Sequence, residues 1–225
     1  MYSLYRLYNE LLHVKPMSPR AYNLEKRRAA SQQTRARVLD AARELILASS
    51  APPSIEAVAA KASVARMTVY YQFGSKSGLL EALFDSLGGP HFRNELPRVM
   101  SHPEPLGALD ALIEAVLSFW SAERLVTRRV RGLAALDPDF EKSIRGRDER
   151  RRQLLRMVLG RIAEKHGKPS VESFDETVDV LYALTSFATF DTLAGEKATD
   201  AEVTPLVQRF ARLVLGVDEA SSDGG

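Results

Sequence analysis

No cysteine occurs among the 225 residues, so a disulfide framework, a thiolate metal site and a thiol nucleophile are all excluded, which fits a reducing compartment. The four histidines, His13, His91, His102 and His166, never fall at the i, i+4 spacing that lets a helix ligate zinc. Long apolar runs are also missing: the longest, over residues 180–190, is too short and too rich in hydroxyls to span a bilayer. The opening residues, "MYSLYRLYNELLHVK", lack the basic, apolar and small-residue regions of a secretory signal, so the expected location is cytoplasmic with no membrane partner. No segment keeps a period-two alternation, and no repeat of solenoid length is present. Enzyme signatures are just as scarce. "GKPS" at Gly167 has its preceding glycine wrongly spaced and Pro169 where a magnesium-binding hydroxyl would stand, and Asp110 with Glu114 is a pair that solvated helix faces carry routinely. The expectation is no catalytic residue, no metal and no cofactor.

What is present is ordinary globular composition, 45% hydrophobic and 27% charged, with an uneven distribution of charge. Residues 1–80 hold 12 Lys and Arg against 5 Asp and Glu, whereas residues 81–225 hold 19 against 24. A basic N-terminal third on an acidic body suits a polyanion at one end only, although solvated faces also produce blocks of this size. The remaining signals are helical, and the expected fold class is all-α. Residues 34–50 repeat Val38, Leu39, Ala42, Leu45 and Ile46 on one helical stripe. Asp137 and Pro138 open a long helix that Gly167 closes, and Ser173 with Glu176 and Thr199 with Glu202 read as capping boxes.

The most informative stretch is "SVARMTVYYQFGSKSGLL", residues 63–80. Ser54 caps a short helix ending near Ala62, and a second short helix spans residues 66–73, so two short helices are separated by about three residues, the spacing of a helix-turn-helix. At 100° per residue Val69 and Phe73 share one face and pack toward Ile55 and Val58, while Met67 and Tyr71 lie roughly opposite, flanked by Thr68 and Tyr70. Two adjacent tyrosines cannot both turn inward. Either they cover a small core in part, or their hydroxyls and rings meet phosphate, sugar and base edges.

Residues 32–87 resemble the N-terminal DNA-binding domain of the TetR family of bacterial transcriptional regulators, with Ile55, Val58, Ala59, Ala62, Val64, Thr68, Tyr70, Phe73, Lys76 and Leu80 at matching positions. The resemblance implies that Thr68 and Tyr70 contact the phosphate backbone, that Arg66, Met67 and Tyr71 face base edges, and that Lys76 holds a phosphate; Ser54 and Gln72 complete the candidate DNA-contacting set. Three departures stand out: Ser63 where the family has glycine, Ala65 where it has a capping serine, and Gln72 where it has histidine. Ser63 is therefore expected at positive φ, and the cap of the recognition helix is expected to move or to come from Ser63.

The resemblance also implies a dimer reading a palindromic operator, with a helical body that binds a small-molecule effector. Residues 177–193, apolar nearly all round, read as either a central core helix or a subunit-interface helix, and the family resemblance favours the interface. Residues 202–217 place Val203, Leu206, Val207, Phe210, Leu213, Val214 and Val217 on one stripe, expected to be the buried face of a surface helix, and the resemblance joins residues 203–217 to 177–193 in the dimer interface. Candidate effector-binding residues are Phe119, Trp120, Arg131, Phe140, Phe187 and Phe190, whereas the Arg-rich stretches around residues 128–132 and 145–152 read as wet helix faces. The expected organisation is a basic arm over residues 1–31 carrying Arg20, Lys26, Arg27 and Arg28, a DNA-binding domain over 32–80, and a ligand-binding and dimerisation domain over 81–225. Translation starts at Met1 or Met17. The expected function is a repressor released by its effector; the alternative is an architectural or adaptor DNA-binding protein with no effector and no cavity.

Overall fold

A computed structural model describes residues 19–49, 51–167, 173–196 and 200–217. The Thr199 capping box, the alternative start sites and the Arg20 side chain lie outside them. Among the described residues every regular element is a helix.

The first helix, α1, runs Pro19–Ala48, so it begins well before residue 34 and leaves no break at residue 31. Its first half, "LEKRRAASQQ", carries no apolar stripe and residues 24–33 are exposed, but these are good helix formers that continue a helix anchored farther on. The anchor is Val38, Ala41, Ala42 and Ile46, all buried. Helices α2 (Ile55–Lys61) and α3 (Arg66–Phe73) fold against it, with Ile55, Val58, Ala59 and Val69 buried between them.

Helix α4, Lys76–Ser101, is longer than its sequence suggests, since Gly88, Gly89 and Pro90 read as a stop. Pro90 cannot donate to the carbonyl of Ser86, yet the helix continues and buries Val99. Packing along α5 (Pro105–Ala122) and α7 (Pro138–His166) overrides the local signal. Helix α5 is the centre of the body: eleven of its residues, including Leu112, Ile113, Leu117 and Trp120, are buried. It, and not residues 180–190, is the segment among the described residues long and apolar enough to cross a membrane, but 61% of it is buried inside the protein. The short α6, Arg124–Ala134, leads into α7, which Asp137 caps by accepting from the Phe140 N–H and which Gly167 ends at φ 85°.

Residues 174–194 form two helices rather than one, α8 (Phe174–Leu184) and α9 (Phe187–Ala194). Ser173 stands at the N-cap of α8 without the side-chain bond of a capping box. At the break, Ser186 Oγ takes the Thr189 N–H that a continuous helix would have sent to the Thr185 carbonyl. That carbonyl instead accepts from Trp120 Nε1 at 3.0 Å and Arg151 Nη1 at 3.1 Å. The last helix, α10 (Asp200–Leu215), packs beside α8. It buries Val203, Val207, Ala211 and Leu215 and leaves Phe210 and Leu213 exposed, so the apolar stripe is divided between two faces.

Candidate nucleic-acid interface and internal cavity

Ser54 caps α2 by accepting the Ala57 N–H at 3.1 Å. The turn that follows depends on Ser63 at φ 53°, the one non-glycine residue at positive φ among those described. Ala65 is the N-cap of α3 and supplies no side-chain bond, so the expected replacement cap is not formed and the helix opens on the Thr68 N–H to Ala65 carbonyl bond alone. Leaving that end uncapped costs about 1 kcal/mol, and it leaves backbone N–H groups exposed at the end of a helix where phosphate is favoured.

Val69 is fully buried and Phe73 lies beneath the Arg35 guanidinium, 4.4 Å from its ring centre, which fixes the rotation of α3. The opposite face is consequently outward: Tyr71 is 90% exposed and Met67 72%. Tyr70 and Thr68 sit half-buried at the flanks. Arg66 is held in place by Glu56 of α2 at 2.9 Å and by its own bond to the Tyr70 hydroxyl at 3.2 Å, and both contacts keep its guanidinium above its ordinary pKa, the Tyr70 bond most. Gln72 turns the other way: its side chain donates to Ser31 Oγ on α1 and its carbonyl accepts from Arg35, so it fastens α3 to α1 instead of pointing outward with Tyr71.

The end of α3 meets the start of α4 at close quarters. Gly74 closes α3 at φ 75°, and Ser75 caps α4 through the Gly78 N–H. A Cβ on Gly78 would lie 2.2 Å from the Phe73 carbonyl oxygen, a backbone atom that cannot step aside. Gly78 therefore sets how the two helices meet, a role the sequence reading missed although the glycine two residues after Lys76 was visible. Lys76, the first residue of α4, is half-buried beside this junction.

Deeper in the body a cavity of about 280 Å³ opens between α4, α5 and α7. Its walls are Phe84, Phe92, Val116, Phe119 and Leu154, with Trp120, Arg147 and Arg151 at the polar side. Of the six expected residues only Phe119 and Trp120 line it. Phe140 is wholly buried elsewhere in the core. Phe187 stacks edge-on against Trp120 at 5.5 Å from behind, and Phe190 lies under Arg124. Arg131 stands behind the wall, paired through both nitrogens to Asp148. The α4 contribution is not legible in sequence, because Gly88, Gly89 and Pro90 read as the end of that helix. The arginines were misread too: Arg147 and Arg151 are enclosed, not on a wet face, because α7 is covered on that side by α4, α5 and α8. Burial pushes the Arg151 guanidinium below its ordinary pKa, with Asp148 opposing the effect.

Residues 38–83 match the family model described as bacterial regulatory proteins, tetR family. The chain has no match among curated proteins. Solved structures share its fold: a TetR-like transcriptional regulator from Rhodococcus sp. RHA1 at 22% identity and TM-score 0.61, over 81% of this chain and 96% of that one. A transcriptional regulator from Saccharomonospora viridis in complex with choline follows at 20% and 0.63, over 80% and 95%. The regulator FadR from Bacillus subtilis in complex with stearoyl-CoA matches at 15% and 0.63, over 82% and 99%. The helix-turn-helix geometry of α2 and α3 agrees with the tetR-family match over residues 38–83, and the chain as a whole shares its fold with these regulators.

Proposed function

We propose that the chain acts as a homodimeric repressor that a small-molecule effector releases from a palindromic operator. In this reading Arg66, Met67 and Tyr71 face base edges, and Thr68, Tyr70 and Lys76 grip phosphates. Ser54 and Gln72 position the helices by capping and by tying α3 to α1. The exposed basic residues Lys26, Arg27 and Arg28 on the extension of α1 add backbone contacts. Residues 32–80 serve as the DNA-binding unit and 81–225 as the sensing and dimerising body.

The observation that carries the proposal is the path of α4. Its first residue, Lys76, abuts the recognition helix, and three turns later Gly88 and Gly89 form part of the cavity wall. There the helix is weakest, because Pro90 removes a backbone bond and two glycines add no rigidity. Side-chain ties hold the rest of α4 to the body: Ser77 donates to Asp137 at 2.6 Å, and Arg147 bonds both oxygens of Asp85 at 2.7 Å. A molecule entering the cavity presses on the soft segment and on Arg147, and so strains the ties that set the position of the half of α4 that carries Lys76; differential binding to two α4 positions then becomes a change in DNA affinity. An architectural protein would have no use for such a cavity, and regulators of this fold from Saccharomonospora viridis and Bacillus subtilis are found with choline and stearoyl-CoA.

Dimerisation draws on α8 and α10, which lie side by side and leave Val180, Phe210 and Leu213 exposed. Leu181, by contrast, is buried within one chain and belongs to the core. The proposal is tested by selection from a random duplex library followed by footprinting and transcription from the recovered site. An inverted repeat with half-sites about 34 Å apart, and transcription lowered by the protein, are expected. No enrichment, or a lone half-site bound by one chain, refutes it.

A further inference from the structure

The charges around the cavity do not balance, and the imbalance points to the chemistry of what enters. Two aspartates stand near it, and both are committed. Asp85 gives its two oxygens to Arg147 at 2.7 Å each. Asp148 gives its two to Arg131 at 3.1 and 2.8 Å. Two further arginines line the cavity: Arg150 has no ion pair among the described residues, and Arg151 has only a distant share, at 3.8 Å, of the Asp148 already bonded to Arg131.

Arg151 is the more telling of them. Only 8% of it is exposed. Its Nη1 donates to the Thr185 carbonyl, its Nη2 stands 3.8 Å from Asp148, beyond hydrogen-bonding distance, and its Nε finds no acceptor. The Tyr182 ring supports the guanidinium from one side at 4.5 Å, a contact that steadies a cation but does not neutralise it. Arg150, on the exposed rim, makes no ion pair among the described residues. An arginine stays charged even when enclosed, so a buried guanidinium with unfilled donors is a standing electrostatic cost that an entering anion would relieve. The rest of the cavity is Phe84, Phe92, Leu96, Phe119 and Leu154, which offers a polar guest nothing but displaces water readily for an apolar one.

Resting on the reading of this cavity as the effector site, we propose that the effector is a small amphipathic carboxylate: its apolar tail lies among Phe92, Phe119 and Leu154, and its acid group meets Arg151 and Arg150. A volume of about 280 Å³ limits the guest to a compact acid, since pockets for drug-sized ligands run from about 300 to 1,000 Å³. The carboxylate meets the charge of Arg151 at the cavity wall, which Asp148 shares with Arg131, and Arg150 adds attraction at the entrance.

Trp120 supplies a local reporter, because it is the chain's sole tryptophan and part of the cavity wall. Titrations would follow its emission with octanoate and phenylbutyrate, with their uncharged amides, and with octyltrimethylammonium. The acids are expected to change the emission and saturate, and the amides to bind about ten- to a hundredfold more weakly, as befits loss of a charge-assisted hydrogen bond. Arg151→Met should erase that preference for the acid. Since Arg151 also supports the Thr185 carbonyl, Arg150→Ala at the exposed rim is the second test and should weaken the acids alone, by a factor that shrinks with added salt. If amides or the quaternary ammonium bind as well as the acids, or if both arginine variants keep the wild-type preference, the carboxylate assignment is overturned while the cavity remains an effector site. If no probe of any charge alters Trp120, both the carboxylate and the effector site are refuted.

Discussion

Replacing Phe210 or Leu213 by aspartate separates the subunit contact from the fold of one chain. In the single chain the two side chains are 43% and 54% exposed. A charge there meets water, and surface changes of this kind shift folding stability by no more than about 0.5 kcal/mol. In the proposed dimer the exposed half of each side chain is covered. Full burial of a Phe or Leu is worth about 1.5–3 kcal/mol, so the part still to be gained is about 1 kcal/mol per side chain, and two-fold symmetry counts it twice. Phe210→Ala should therefore loosen the dimer by about 2 kcal/mol, roughly thirtyfold in Kd. Phe210→Asp or Leu213→Asp adds the desolvation of an unpaired carboxylate in each copy, several kcal/mol per charge, and should raise Kd by about a thousandfold or more. Leu181→Asp is the contrasting case: at 1% exposure it puts the charge in the core and should unfold the chain itself. Sedimentation velocity over a dilution series, with a circular dichroism melt of each variant, reads both properties. Folded Phe210→Asp and Leu213→Asp variants that sediment as the wild type does at every concentration would refute the α8–α10 face as the subunit contact.

Three further predictions concern the N-terminal unit and its junction with the body. Lys76→Ala should weaken operator and random duplex in similar proportion and lower the salt slope by about 0.9, whereas Tyr71→Ala should cost about 1–3 kcal/mol on the operator alone with little change of slope; equal effects on both measures would remove α3 from the groove. Gly78→Ala should lower DNA affinity and the melting temperature together, since the added carbon meets the Phe73 carbonyl and forces α3 and α4 apart; a wild-type melting curve would show that the junction yields freely. Asp137 has its pKa lowered, first by the bond from Ser77 and then by the Phe140 N–H. Its contribution to stability is thus complete above the ordinary aspartate value and fades as pH falls through the lower folded value. Asp137→Asn should flatten that acid limb in a pH series of thermal melts, and an unchanged limb would remove Asp137 from the α4–α7 tie.

The sequence by itself determined the local events. Ser54 as a cap, Ser63 at positive φ, Val69 inward with Tyr71 outward, and Asp137 opening a helix that Gly167 ends are all set within one or two turns of chain, by hydrogen-bonding geometry and a 3.6-residue period. The all-α class followed from the same periodicities. Tertiary structure decided whatever depended on which other helix lay alongside. Helix α4 passes through Gly88, Gly89 and Pro90 because α5 and α7 hold it, and that continuation brings Phe92 to the cavity. The run over residues 177–193 breaks at Thr185 because Trp120 and Arg151 bind its carbonyl, atoms 65 and 34 residues away. The stripe on α10 splits because α8 covers only part of it. Arg147 and Arg151 look solvated in a row of charges and become enclosed only when neighbouring helices cover them. A periodicity shows that a face is apolar or charged, but the free energy of burying it belongs to the surface that arrives from elsewhere in the chain, and no single stretch of sequence contains that surface.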